Sequence, residues 1–381
     1  MSASPRIAFV SGQSRWWRKQ RLAAKYLKMR LEGIVYPDVY CLAFMLADKF
    51  DFLLEDEKVP AGKYDLILAE LGGSENQLRY LESLVMAADP AVAVIPGPPA
   101  ILSRDLTDEK LRRVKRILGA ARHVWAYAEE LKNFCDGLIG REKAVVIPWP
   151  YDLAATRTLA LGAGADTSNG AESTADAKSA EASQFAREHE ARRHKILVQI
   201  PMCFHDIVFN HPFVLKGVLL DVWQELPSEL RERITFHTFI YNATDRELYQ
   251  STGFDKDLPF VLEGKRGYRS FVRLIGECDG VINLTVGNIL GRITFLAAAL
   301  GKPGIFSNNI ALNSRLYPNS CVSTFDAVRL RDLLSALLMG LVDSAAPGGT
   351  NRRLLPCAQA AAEIGDFAAN QRRLREIAQF S

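Results

Sequence analysis

Residues Gly280–Ser307 read GVINLTVGNILGRITFLAAALGKPGIFS. The apolar run from Gly280 to Thr285 is followed by a glycine-bearing loop and by Leu290–Leu300 with helical character. The turn Gly301-Lys302-Pro303 then leads into a second apolar run ending at Ser307. Apolar runs without polar alternation belong to strands buried on both faces, and a helix joining two of them is the crossover of a parallel βαβ unit. The same alternation continues outward. Upstream, Lys195–Pro201, Arg233–Tyr241 and Pro259–Gly264 read as strands, with helices predicted at His211–Leu226, Arg246–Ser251 and Tyr268–Cys278; a further helix is predicted downstream at Phe325–Leu341. In the first half, strands are predicted at Arg6–Val10, Asp65–Glu70, Ala91–Pro96, His123–Ala128 and Lys143–Pro148. Helical periodicity covers Arg15–Leu31, Glu75–Ala87, Asp108–Gly119 and Ala128–Asp136. The fold class that follows is α/β, with two Rossmann-like, doubly wound domains facing a cleft at the carboxyl ends of their strands.

A length of 381 residues suits two domains. Between the halves, Gly162–Gln184 contains no Val, Ile, Leu, Met, Phe, Tyr or Trp, so it has no apolar area to offset the entropy of ordering it. The expected layout is an N-terminal domain over 1–152, a linker or insertion over 153–194, a C-terminal domain over 195–355, and a helical segment over 356–381 that packs back on the N-terminal domain. Lys plus Arg number 47 against 44 Asp plus Glu, a balance of +3 that excludes a chain built as a whole to neutralise nucleic acid. Cys41, Cys135, Cys203, Cys278, Cys321 and Cys357 form no C-x-x-C pair and read as reduced thiols. No run approaches the roughly 18 apolar residues of a membrane span, and the apolar run Ile7–Val10 is too short for a signal peptide. The expected location is the cytoplasm. There is neither a Walker A loop nor a G-x-G-x-x-G fingerprint, which speaks against P-loop hydrolysis and NAD binding.

The strongest phosphate cradle is Thr285–Arg292, TVGNILGR. Gly287 and Gly291 let backbone approach a ligand, and Arg292 stands in the first turn of the following helix, where the dipole favours an anion. A plain strand-to-helix turn with a solvated arginine is the other reading. Lys265 and Arg266 follow a strand at the same edge of the expected cleft. The loop Met202–Pro212 carries His205, Asp206 and His211, suited to a general base or to hydrogen bonds with a sugar, and its spacing matches no zinc site. Gly12 and Gln13 follow the first strand, ahead of Ser14, which also reads as a helix cap. Pro96-Gly97-Pro98-Pro99 reads as a rigid turn or as acceptor-side lining. The first helix carries Arg15, Arg18, Lys19, Arg21, Lys25, Lys28 and Arg30 with Trp16, Trp17 and Tyr26. It suits an anionic membrane surface or a phosphate-bearing acceptor, or equally a solvated face whose aromatics pack inward. Lys110–Arg116 adds a second basic helix.

Two stretches, Ala121–Leu153 and Val261–Ser307, about a fifth of the chain, resemble the GT-B superfamily of nucleotide-sugar glycosyltransferases, in particular its retaining, metal-independent branch. Gly301-Lys302-Pro303 is similar to the Gly-(Lys or Val)-Pro turn that follows the family's donor helix, and Lys216-Gly217 resembles the Lys-Gly whose lysine meets the donor diphosphate. The chain departs from the family at its glutamate pair, whose places are held by Asn288 and Leu296. The resemblance implies transfer of a sugar from a nucleoside-diphosphate sugar to a glycan or lipid-linked acceptor, with no metal or other cofactor. The donor would be held by Gly12, Gln13, Lys216, Lys265, Arg266, Asn288, Gly291 and Arg292, with His205 and Asp206 as the catalytic pair. An inactive nucleotide-sugar-binding or scaffold protein on the same fold is the alternative that the missing glutamates raise. The expected partners are the donor, the acceptor and, through Arg15–Arg30, an anionic membrane surface, without nucleic acid.

Overall fold

The computed structural model describes residues 5–10, 24, 39, 41–47, 49–54, 57–60, 62–72, 74–87, 91–97, 107–161, 194–199, 212–240, 243–264, 267–284, 291–343 and 352–379. These form two compact units, one from residues up to 155 and from 362 onward, the other from 156–284 and 291–361.

The first unit runs β1 (Ile7–Val10), α1 (Cys41–Leu46), β2 (Phe50–Leu53), β3 (Leu66–Leu71), α2 (Glu75–Met86), β4 (Val92–Pro96), α3 (Asp108–Ala120), β5 (His123–Ala126), α4 (Glu129–Ile139) and β6 (Ala144–Val146). Its sheet is parallel throughout, in the order β2-β1-β3-β4-β5-β6. Side chains alternate across it. Ala8, Val10, Ile67, Ala69, Val94 and Val124 pack on Leu78, Leu81, Ile117 and Leu131 of the helices on one face. Ile7, Phe9, Leu66, Leu68, Ile95 and Trp125 pack on Leu42 and Met45 on the other. Burial on both faces is why these strands read as unbroken apolar runs.

Helix ends follow local chemistry. Ser74 and Thr107 accept hydrogen bonds from the Gln77 and Lys110 amides, capping α2 and α3. Gly140, at φ 72°, closes α4 and donates to Asp136 O at 2.8 Å. The Asp136 carboxylate accepts the amides of Lys143 and Ala144 at 2.8 Å each, tying α4 to β6. Burial pushes that carboxyl up, yet those amides and Lys132 outweigh it and hold its pKa below the usual value.

The second unit holds most of α5 (Leu153–Leu161), then β7 (His194–Gln199), α6 (Pro212–Glu225), α7 (Ser228–Arg231), β8 (Ile234–Phe239), α8 (Ala243–Thr252), α9 (Phe254–Asp257), β9 (Phe260–Glu263), α10 (Tyr268–Glu277), β10 (Gly280–Asn283), α11 (Arg292–Ala299), β11 (Gly304–Ser307), α12 (Ala311–Leu316), β12 (Cys321–Val322) and α13 (Ala327–Asp343). A 3-10 turn at Arg352–Leu354 leads to α14 (Ala358–Ile364) and to α15 (Phe367–Ile377), which belongs to the first unit. There Leu374 is fully buried beside Leu42 and Met45, and Gln371 Nε2 donates to Met45 O at 2.9 Å. The second sheet is also parallel, in the order β12-β11-β10-β7-β8-β9. That is the dinucleotide-fold order, with its switch point between β7 and β10. Asp279 fixes this junction. It accepts from Lys195 N at 2.9 Å and lies 3.5 Å from His194 Nδ1.

Residues 153–161, placed in the expected linker, are helical, and the Asp152 carboxylate caps them through Ala155 N at 2.8 Å; the helix ends where the apolar-free stretch from Gly162 begins. The basic stretch Lys110–Arg116 also differs from expectation. Arg113 is buried and pairs with Glu75, with Glu82 at 2.8 Å and with Glu109 at 3.0 Å, while Arg116 takes Glu82 at 2.5 Å. These charges join α3 to α2, so they are not free to meet an anion. Arg113→Ala is expected to cost about 2 kcal/mol, less than for a deeply buried triad because Glu75 and Glu109 regain water. Denaturant unfolding measures this. Among the described residues no helix is long and apolar enough to cross a membrane.

Candidate functional site

Open parallel sheets bind ligands at the carboxyl ends of strands flanking the switch point, here the ends of β7 and β10. α11 starts on that side. All its residues after Arg292 are buried, so it sits inside the unit with its amino end facing the strand ends. Gly291 caps it at φ 53°, and a Cβ placed there would lie 2.6 Å from Leu312 Cδ2 and 3.4 Å from Asn313 Oδ1. Only glycine combines that left-handed backbone with such close approach of α12.

The first turn of α11 contains no acidic residue, so its free amides and positive dipole end are not neutralised locally. Arg292 Nε is shut from solvent and has no hydrogen-bond partner among the described residues, and the same holds for Thr294 Oγ1 two residues along. Asn313, 1% exposed, donates through Nδ2 to Ser307 O at 2.9 Å, and its Oδ1 likewise has no partner. Ser307 Oγ in turn accepts Asn309 N at 3.1 Å. These bonds tie the end of β11 to the start of α12, and Gly291 at the cap of α11 lies close against the same residues. Buried donors and acceptors left open cost about 1–3 kcal/mol each unless something meets them, and clusters of them mark sites where a ligand supplies the missing partner.

Of the residues expected from sequence, Gly291 and Arg292 stand together at this helix start. Lys216 is on α6, half-buried, with Nζ 3.2 Å from Asp257 Oδ2 and 5.9 Å from the centre of the Phe254 ring. Its charge is engaged by α9. Leu296 is wholly buried within α11, so the place where the resemblance expects a carboxylate is apolar core. Gly12, Gln13, His205, Asp206, Lys265, Arg266 and Asn288 lie outside the described residues, as do His211 and nearly all of Arg15–Arg30. Sequence reasoning missed Ser307 and Asn313. The available signal was the polar run Ser307-Asn308-Asn309 directly after an apolar strand.

A second polar pair lies at the β8–β9 edge, where His237 Nδ1 is 2.8 Å from Glu263 Oε1, both nearly buried. Cys41, Cys135 and Cys278 are buried free thiols, and burial pushes Cys135 and Cys278 up to about 12.

No protein-family model matches the chain, and no curated protein matches it by sequence. Solved structures do. Anabaena HepE in complex with UDP-glucose aligns over 98% of this chain and 99% of its own, with a TM-score of 0.61 at 15% identity. A UDP-forming α,α-trehalose-phosphate synthase from Burkholderia xenovorans aligns over 96% and 78%, with a TM-score of 0.56 at 12% identity. The synthase from Burkholderia vietnamiensis aligns over 82% and 71%, with a TM-score of 0.57 at 11% identity. The chain has a GT-B fold. Within that fold the described part of the second unit contributes the start of α11, the β11–α12 connection and the strand ends beside them. At identities this low the match speaks for architecture, and the chemistry must come from the residues themselves.

Proposed function

We propose that this GT-B protein is a glycosyltransferase that moves a sugar from a nucleoside-diphosphate sugar to a glycan or lipid-linked acceptor without a metal ion. The observation that carries the reading is Arg292, its Nε buried and unpartnered among the described residues, at the start of a helix with no acid in its first turn. The bond from the sugar's anomeric carbon to the β-phosphate oxygen breaks and the departing diphosphate gains charge. The guanidinium of Arg292 and the first-turn amides of α11 stabilise that charge. The acceptor hydroxyl forms the new bond to the anomeric carbon, and its proton passes to the leaving phosphate or to His205, oriented by Asp206. Lys265 and Arg266 add positive charge, and Asn288 takes sugar or ribose hydroxyls where the family uses a carboxylate. Lys216 adds its charge only on release from Asp257. Gly12 and Gln13 help hold the donor, the region 1–152 faces the acceptor, and the basic segment Arg15–Arg30 meets an anionic membrane surface.

UDP-glucose is the first donor to test, since HepE was solved with it. Thermal unfolding against UDP, GDP, ADP and their sugars is expected to show stabilisation by one nucleotide, followed by nucleotide release that EDTA does not lower. No stabilisation by any of them would overturn the donor site. Stabilisation without release or transfer favours the second reading, a binding protein without turnover, which the buried Leu296 supports.

A further inference from the structure

At the far end of α11 from Arg292, a cavity of about 470 Å³ opens among α5, α10 and the turn into β11. Arg157, Arg273 and Lys302 line it against a single acid, Glu277, and Ala160, Leu161 and Leu300 form an apolar wall. Cations near helix carboxyl ends often serve only to complement free carbonyls. Here that need is already met for α11. Its last four carbonyls, from Leu296 to Ala299, accept in turn from Leu300 N, Lys302 N, Gly301 N and Arg157 Nε. In α10 the Leu274 and Ile275 carbonyls accept from Cys278 N. The bond from Arg157 Nε to Ala299 O, at 2.9 Å, fixes the guanidinium plane and uses one of its five N–H donors. Lys302 Nζ makes no hydrogen bond or close ion pair among the described residues. Arg157 and Lys302 therefore keep spare donors after the helix ends are satisfied, although Lys302 also acts through space on the Asp279 carboxylate.

We infer that this cavity is a binding site for a small phosphate monoester with a hydroxylated body. Its phosphate would sit between Arg157 and Lys302, with hydroxyls donated to Glu277 and the carbon skeleton against Leu300. The volume lies within the range of small-molecule pockets and is several times what a lone phosphate needs. The eight residues of α11 put about 12 Å between this site and Arg292, so it is distinct from the proposed donor cradle and stands whether or not that cradle binds a nucleotide. It also gives a use to Lys302 of the Gly-Lys-Pro turn.

Isothermal titration of the full chain with ribose 5-phosphate, inorganic phosphate and ribose, each with and without UDP present, tests this. Ribose 5-phosphate is expected to bind saturably under both conditions, at least tenfold more tightly than phosphate, and ribose not at all. Lys302→Glu and, separately, Arg157→Gln should each weaken that binding tenfold or more, while Arg292→Ala leaves it unchanged. Melting curves identify any variant that fails to fold, and the exposed position of Arg157 keeps the second variant informative. Absence of saturable binding, or binding that both variants leave intact, overturns the site. Equal affinity for inorganic phosphate overturns the hydroxylated ligand class.

Discussion

Arg292→Ala is expected to reduce sugar transfer on the order of 100- to 1,000-fold and to weaken UDP binding at least tenfold, with little change in unfolding midpoint. The larger effect on turnover follows from where the charge develops. Ground-state UDP-sugar already carries a charged diphosphate, but the bridging oxygen gains its negative charge only as the anomeric bond breaks, and a preorganised donor is worth most at that moment. Stability should hold because Arg292 Nε has no partner to lose among the described residues, and because alanine is the best helix former at an N-terminal turn. Arg292→Lys separates two explanations. A lysine keeps the charge and loses the planar fork, so partial rescue of UDP affinity with a persisting defect in turnover would indicate bidentate contact. Isothermal titration with UDP and initial-rate kinetics give both numbers. Unchanged UDP affinity in Arg292→Ala would remove this residue from the donor site.

Much of the architecture could be read from sequence because its decisive segments are buried on both sides. Gly280–Asn283, Gly304–Ser307 and Ile7–Val10 are wholly buried strands, and nothing but a covered parallel sheet calls for such runs. The elements that escaped are short or peripheral. β2 is four residues at a sheet edge with Asp51 exposed among its phenylalanines, and β12 is two residues. Arg113 shows a different limit. Its neighbours make Lys110–Arg116 look like a basic surface, although it falls in step with Val114 and Ile117 on the buried face of α3. The carboxylates that neutralise it come largely from α2, more than thirty residues earlier. Asn313 could not have been found for the same kind of reason, since its importance lies in the packing of α12 on Gly291. Gly291 and Arg292 were legible because a glycine before a helix and an arginine inside it have local physical meaning.

Gly291→Ala is expected to destabilise the chain by about 3 kcal/mol and to weaken UDP binding in step, whereas Gly301→Ala should cost only about 1 kcal/mol. Both glycines have left-handed backbones, at φ 53° and 66°, so both substitutions incur the cost of placing an L side chain in that region, about 1–2 kcal/mol. They differ in space. A Cβ at Gly301 meets nothing within 4 Å, but at Gly291 it meets Leu312 Cδ2 at 2.6 Å, well inside van der Waals contact. Relief requires Leu312 to swing or α12 to retreat, and retreat would stretch the Asn313–Ser307 hydrogen bond that holds the end of β11. The additional cost is that of overpacking a tight site, typically 1–3 kcal/mol. Because Gly291 is itself the cap of α11, any part of the strain taken up by its own backbone shifts the first-turn amides and Arg292 together. Chemical denaturation of the two variants side by side measures the difference, and titration with UDP shows whether it reaches the site. Equal losses in stability would mean that Leu312 yields freely and that the cap of α11 is not held by α12.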